Sequence, residues 1–128
     1  VIYKMDFNKE LVDKFAYIFV HFAYSTDNEL SVEELKLIST KINDLINENQ
    51  DNYRQTYSVV TQILAEYINL TLSQRSSKCN VLSLELNRDL SPVQKSSFID
   101  SLNELAELDS LFQSEIDFIN DLKSKFKL

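Results

Sequence analysis

Residues 22–38 read FAYSTDNELSVEELKLI, and this stretch decides the fold. It contains the end of one helix, a polar turn and the start of the next. Ser31-Val32-Glu33-Glu34 has the form of a capping box: the Ser31 hydroxyl can accept from the Glu34 backbone N–H, and the Glu34 side chain can reach back. Downstream, Leu35, Ile38, Ile42, Leu45 and Ile46 recur at helical spacing. Upstream, Leu11, Phe15, Ile18, Phe19 and Phe22 do the same after Asn8. Two amphipathic helices joined by Ser25-Thr26-Asp27-Asn28 are the expectation.

The rest of the chain follows the same grammar. After a polar break at Asn47 to Asn52, with Asp51 as the expected cap, Tyr53, Tyr57, Val60, Leu64, Tyr67 and Ile68 predict a third, long helix. Ser73 to Asn80 is rich in Ser and reads as a loop. Val81 to Leu90 fits a short helix or, through the alternation of Leu82, Leu84 and Leu86, a strand; helix is preferred because a lone strand has nothing to pair with. Ser91-Pro92-Val93-Gln94 starts another helix, with Pro at the first position, where its missing N–H costs nothing. Phe98, Ile99, Leu102, Leu105 and Ala106 are its buried face. A last helix carries Ile116, Ile119, Leu122 and Phe126, with Lys123, Lys125 and Lys127 complementing the dipole at its end.

Composition points the same way. The 128 residues contain no Gly and one Pro, whereas a β-rich fold needs many turns with positive φ that Gly serves best. A single all-α domain spanning residues 1–128, a compact multi-helix bundle, is therefore predicted.

Charge and special residues bound the function. A net charge of −7, a pI near 4.6 and only three scattered arginines argue against nucleic acid as a partner. The absence of Gly removes any glycine-rich phosphate loop. No apolar run is long enough for direct membrane insertion: the most apolar stretch, Phe15 to Tyr24, is interrupted by His21 and flanked by Lys14 and Asp27. Val1 to Asp6 lack a signal-peptide pattern, and one cysteine fits a reducing compartment, so a cytoplasmic location is expected. The chain opens on Val1 rather than Met, which leaves room for a preceding segment. Cys79, beside Lys78 in the expected loop, would have a modestly lowered pKa. His21, alone of its kind and set among Phe19, Phe22 and Ala23, reads as packed rather than catalytic. The six tyrosines read as the rim of the core, or as interface material where exposed.

A second stretch, ELAELDSLFQSEIDFI from Glu104 to Ile119, repeats the pattern of the first. Each ends a helix, presents an Asp, places an apolar residue three positions later (Leu30 and Phe112) and opens the next helix with Glu. The apolar residue is expected to fold back between the helices as a plug. On these residues the chain resembles the tellurite-resistance TerB-like family. It departs from the family in having Asp27-Asn28 and Asp109-Ser110 where Asp-Gly is usual, and its second unit is one residue shorter. The resemblance implies two pseudo-symmetric helical halves, a stress-response setting, and a divalent cation such as calcium held by Asp27, Glu33 or Glu34, Asp109 and Glu115. Hard cations do favour clustered carboxylates, and Asp27, Glu29, Glu33 and Glu34 lie within one loop. It is not an EF-hand, because Val32 and Ile38 stand where that loop needs Gly and Glu. The same acids are well explained as helix-start residues favoured by the dipole, and that structural reading is preferred over a metal site.

The functional expectation is a non-enzymatic interaction or scaffolding domain with a protein partner, whose acidic loops meet a divalent cation or a basic surface. The alternatives are a metal-dependent enzyme using Asp27, Glu34, Asp109 and Glu115, or a ligand-free bundle that self-associates, as a homodimer for example, through Tyr and Leu residues of the third helix.

Overall fold

The computed structural model describes residues 8–46, 53–108 and 112–128, with the backbone alone at Thr26 and Asp27. All regular structure among them is helical: α1 (Lys9–Asp27), α2 (Val32–Ile46), α3 (Tyr53–Ile68), α4 (Leu72–Asp89), α5 (Pro92–Leu108) and α6 (Gln113–Phe126). No helix among the described residues is long and apolar enough to cross a membrane.

Side chains set most of the helix starts. Asn8 Oδ1 accepts from the Leu11 N–H at 3.1 Å. The Ser31–Glu34 and Ser91–Gln94 boxes form as read, with the hydroxyls accepting from the backbone at 3.1 and 3.2 Å. A third box overturns the loop expected at Ser73 to Asn80. The Thr71 hydroxyl accepts from the Gln74 N–H at 3.1 Å, and the Gln74 side chain accepts from the Thr71 N–H at 2.9 Å. That start makes the serine-rich segment the first turns of α4. Its serines lie mainly on the exposed side, where they displace no core contact. The Val81 to Leu90 segment is helix, as preferred. The proposed cap Asp51 lies outside the described residues.

Helix ends are closed without glycine. Asn28 adopts the left-handed conformation at φ 58°, and its N–H returns to the Tyr24 carbonyl at 2.7 Å; Asn tolerates this region better than most residues. The last four carbonyls of α3 all find donors. Asn69 Nδ2 serves Ala65 and the Asn69 N–H serves Glu66, both at 3.1 Å. The Leu70 N–H reaches Tyr67 at 3.0 Å. The Arg75 guanidinium meets the remaining need, Nη2 to Ile68, and gives Tyr67 a second donor through Nε, each at 3.1 Å.

The bundle is organised around α1, which packs against α2, α3, α4 and α6, while α5 closes against α2 and α6. Residues Phe15 to Val20 are buried without interruption. A helix buried on every side is a central one, and among α4–α6 none is buried to that degree. The buried face of α5 is the predicted one; that of α2 holds Leu35, Ile38 and Ile42 as predicted together with Ser39 and Asn43, while Leu45 and Ile46 are half-buried. The buried face of α3 is rotated from expectation: it consists of Thr56, Val59, Val60, Ile63 and Tyr67, leaving Ile68 exposed.

Ring contacts give the helix directions. Phe118 packs on Phe22 with centroids 5.5 Å apart, and Phe126 lies 6.4 Å from Phe98, which in turn packs on Phe15 and Phe19. Thus α6 runs antiparallel to α1. So does α4, whose Arg75 covers the Tyr24 ring while its Asp89 bonds Lys14 at 3.0 Å. The end of α1, the starts of α2, α4 and α6, and the ends of α3 and α5 therefore share one end of the bundle.

The opposite end carries most of the ion pairs. Lys14 is buried and lies within 4.0 Å of Glu10, Glu85 and Asp89. Burial pulls its pKa down, yet the three carboxylates together hold it above the usual lysine value. Cys79, expected in a loop, is buried within α4, and burial pushes its thiol up to about 11 rather than down. Alkylation of Cys79 by iodoacetamide at pH 8 is expected to run at least ~100-fold slower in the native protein than in urea, because so little thiolate exists. Comparable rates in the two conditions would contradict the burial.

Candidate functional site at one end of the bundle

The described parts of the two acidic units, the turn before α2 and the start of α6, lie at the same end of the bundle, where α1 stops. Of the acids expected to act there, Glu34 is occupied by its cap: Oε1 accepts from the Ser31 N–H at 3.3 Å and hydroxyl at 3.0 Å. Glu33 is exposed. Glu115 is only 3% exposed and accepts from the Phe112 N–H at 3.3 Å. It serves the second unit as Glu34 serves the first, although Phe112 has no side-chain acceptor to complete a reciprocal box. Asp109 lies outside the described residues, as does the side chain of Asp27. Among the described residues no three His, Cys, Asp or Glu side chains are placed to share a metal ion. The chemistry of Glu33, Glu34 and Glu115 alone is thus that of helix starts, and a cation there would rest on Asp27 and Asp109.

The plug expected of each unit forms once. Leu30 is half-buried against the core. Phe112 is not a plug, being 44% exposed. It sits at the N-cap of α6, and Phe118 fills the space beside α1 instead, 5.5 Å from Phe22 and 5.8 Å from His21. Six residues, nearly two turns of helix, separate the two positions, which the shared spacing of the units did not reveal. The Tyr53 and Tyr57 rings stack at 6.3 Å and are half-buried.

Charge is divided between the ends. The ion pairs Lys9–Asp13, Lys14–Asp89, Arg88–Asp89 and Lys125–Asp121 belong to the end where α1 and α5 begin and α4 and α6 finish. At the acidic end, Glu29, Glu33 and Glu107 are exposed and make no ion pair with described residues. Glu104, further along α5, is held by Lys41.

Between α1, α3 and α4 at this same end lies a cavity of about 370 Å³, lined by His21, Ser25, Asn28, Tyr67, Arg75 and Ser76, with Leu72 on its flank. Its polar groups are tied together across long stretches of chain. His21 Nδ1 is 2.8 Å from the Tyr67 hydroxyl, and the Tyr17 hydroxyl donates to the Arg75 carbonyl at 2.9 Å. The Arg75 guanidinium lies 4.6 Å from the Tyr67 ring centroid and 5.3 Å from that of Tyr24, both attractive cation–π placements. Burial raises the Tyr67 phenol to about 12 and also raises that of Tyr17. Burial, reinforced by the charge of Arg75, lowers the pKa of His21. His21 is packed, as expected, but it also faces open space. Sequence reasoning passed over Arg75 and Tyr67. Partners 46 and 58 positions apart leave no local spacing to read.

Compared with models of known protein families, with curated proteins and with solved structures, the chain finds no match.

Proposed function

We propose that this chain is a non-enzymatic helical interaction domain whose acidic end docks a basic surface of a partner protein, in the cytoplasmic stress-response setting that its TerB-like acidic units imply. The observation that supports this reading is the distribution of charge. Toward the other end Glu10, Asp13, Glu85, Asp89 and Asp121 each have a lysine or arginine beside them and Asp44 alone near the end of α2 does not, while Glu29, Glu33 and Glu107 all stand without ion-pair partners among the described residues. Unpaired like charges at one end repel one another, and a cationic partner relieves that repulsion while being steered to the site.

Titration with a ten-residue oligolysine tests the reading. Binding is expected at about 50 mM salt and should fall steeply by about 300 mM, as screening shortens the reach of the charges. Glu29→Gln/Glu33→Gln should weaken it at least ~10-fold, whereas Asp44→Asn/Asp100→Asn, which removes the same charge elsewhere, should change it less than ~2-fold. Equal losses in the two variants would mean that only net charge matters, and the docking reading would fail. A parallel calcium titration of wild type and Asp27→Asn/Asp109→Asn separates the cation alternative, which needs a heat that the variant lacks.

A further inference from the structure

We propose that the cavity between α1, α3 and α4 binds a small oxyanion, a carboxylate or a tetrahedral phosphate-like group, on the free side of the Arg75 guanidinium and Nε2 of His21. Arg75 is already explained in part as the cap of α3, but that role does not use it up. A guanidinium has five N–H bonds; one from Nε and one from Nη2 go to the Tyr67 and Ile68 carbonyls. The others have no acceptor among the described residues. The two carbonyl bonds and the flanking Tyr24 and Tyr67 rings fix the guanidinium plane at the cavity wall. A ligand therefore meets an immobilised donor set, with little side-chain entropy left to lose.

His21 supplies the second contact. Its Nδ1 is committed to the Tyr67 oxygen, and Tyr67 keeps its proton at neutral pH. When that phenol donates to Nδ1, the imidazole hydrogen sits on Nε2, which has no described protein acceptor. An anion at Nε2 selects this tautomer. The Ser76 hydroxyl is exposed, makes no side-chain bond to a described residue and adds a further donor on the α4 side.

Electrostatics and size choose the ligand class. In a chain of net charge −7 the described lining of this cavity contains an arginine and no carboxylate. The groups that face His21 from the other helices are Tyr67 of α3, Arg75 of α4 and the apolar Phe118 of α6, and within α1 Tyr17. A cation is repelled by Arg75. A volume of about 370 Å³ lies at the small end of the range for ligand pockets, so the occupant is a small molecule rather than a segment of another protein.

His21 is the single histidine of the chain, so its ring resonances report on the site without ambiguity. Sulfate and acetate, neither of which titrates between pH 6 and 8, serve as the tetrahedral and planar probes, added at constant ionic strength against chloride. Saturable shifts of the His21 ring signals are expected, with the pKa of His21 raised by about half a unit or more because a bound anion favours imidazolium. Tighter binding of sulfate would assign a phosphate-like ligand, and tighter binding of acetate a carboxylate. Ser76→Glu, which puts a negative charge at the rim without removing an internal bond, should weaken binding at least ~10-fold and leave the melting temperature within about 2 °C. Shifts that stay linear with concentration, that chloride reproduces, or that Ser76→Glu leaves unchanged would each overturn the proposal.

Discussion

Phe98→Ala is expected to lower the stability of the protein by about 3–5 kcal/mol, the largest loss from any single truncation in the chain. Phe98 has no solvent exposure, and its ring is shared among three others: Phe15 at 4.9 Å, Phe19 at 5.1 Å and Phe126 at 6.4 Å. The first two contacts are edge-to-face, an arrangement worth something beyond the area it buries. They tie α5 to the central helix, and the third ties it to the end of α6. Truncation leaves a void walled by aromatic rings on separate helices, and stiff rings cannot collapse into it, which places the cost toward the upper part of the range. In a domain of this size the melting temperature should drop by roughly 10–20 °C. Phe98→Leu, which retains most of the volume, should cost less than half as much. Urea unfolding of both variants checks this, and a Phe98→Ala loss under about 1 kcal/mol would show that the α5–α6 pair does not depend on this ring.

The difference between what could and could not be read in the sequence is one of range. Local chemistry was legible. Asn8, Ser31–Glu34 and Ser91–Gln94 set their helix starts through bonds within three residues, and those bonds form. The Thr71–Gln74 box follows the same rule but lies in front of a run of serines, and there composition masked a capping pattern that was present. Periodicity found the buried face of α5, where apolar and polar residues segregate. It misplaced that of α3, where Val59, Ile63 and Tyr67 form one stripe and Tyr53, Leu64 and Ile68 extend another. Choosing between two stripes depends on which neighbour arrives, and no residue of α3 encodes that. The cavity was out of reach for the same reason. His21 meets Tyr67 and Arg75 only because α3 and α4 both turn at the end of α1. The acidic units were legible as helix starts, since Glu34 and Glu115 act within their own turns. Phe112 shows the limit of arguing from shared spacing, because the same offset from Asp gives a half-buried Leu30 and an exposed Phe112.

Arg75→Met should be the most damaging substitution of a polar side chain at the acidic end, with an expected loss of about 2–3 kcal/mol. The aliphatic stem is kept, so packing is nearly conserved and the effect isolates the guanidinium. Without it the Ile68 carbonyl at the end of α3 has no donor, and the Tyr67 carbonyl keeps only the Leu70 N–H. The Tyr67 and Tyr24 rings also lose their cation. A bond between a charged group and a carbonyl is worth more than a neutral one, and the fork is what allows one side chain to close two carbonyls at once. Arg75→Lys should therefore recover less than half of the loss, because a single ammonium cannot span both positions. Arg54, exposed near the start of α3, gives the control: Arg54→Met should stay within about 0.5 kcal/mol of wild type. Hydrogen exchange locates the damage. The last turn of α3 and the first turn of α4 should lose protection in Arg75→Met, while amides of α5 and α6 keep theirs. A loss spread evenly over the bundle would refute the capping role, and no loss at all would refute both the cap and the immobilised guanidinium on which anion binding at the cavity depends.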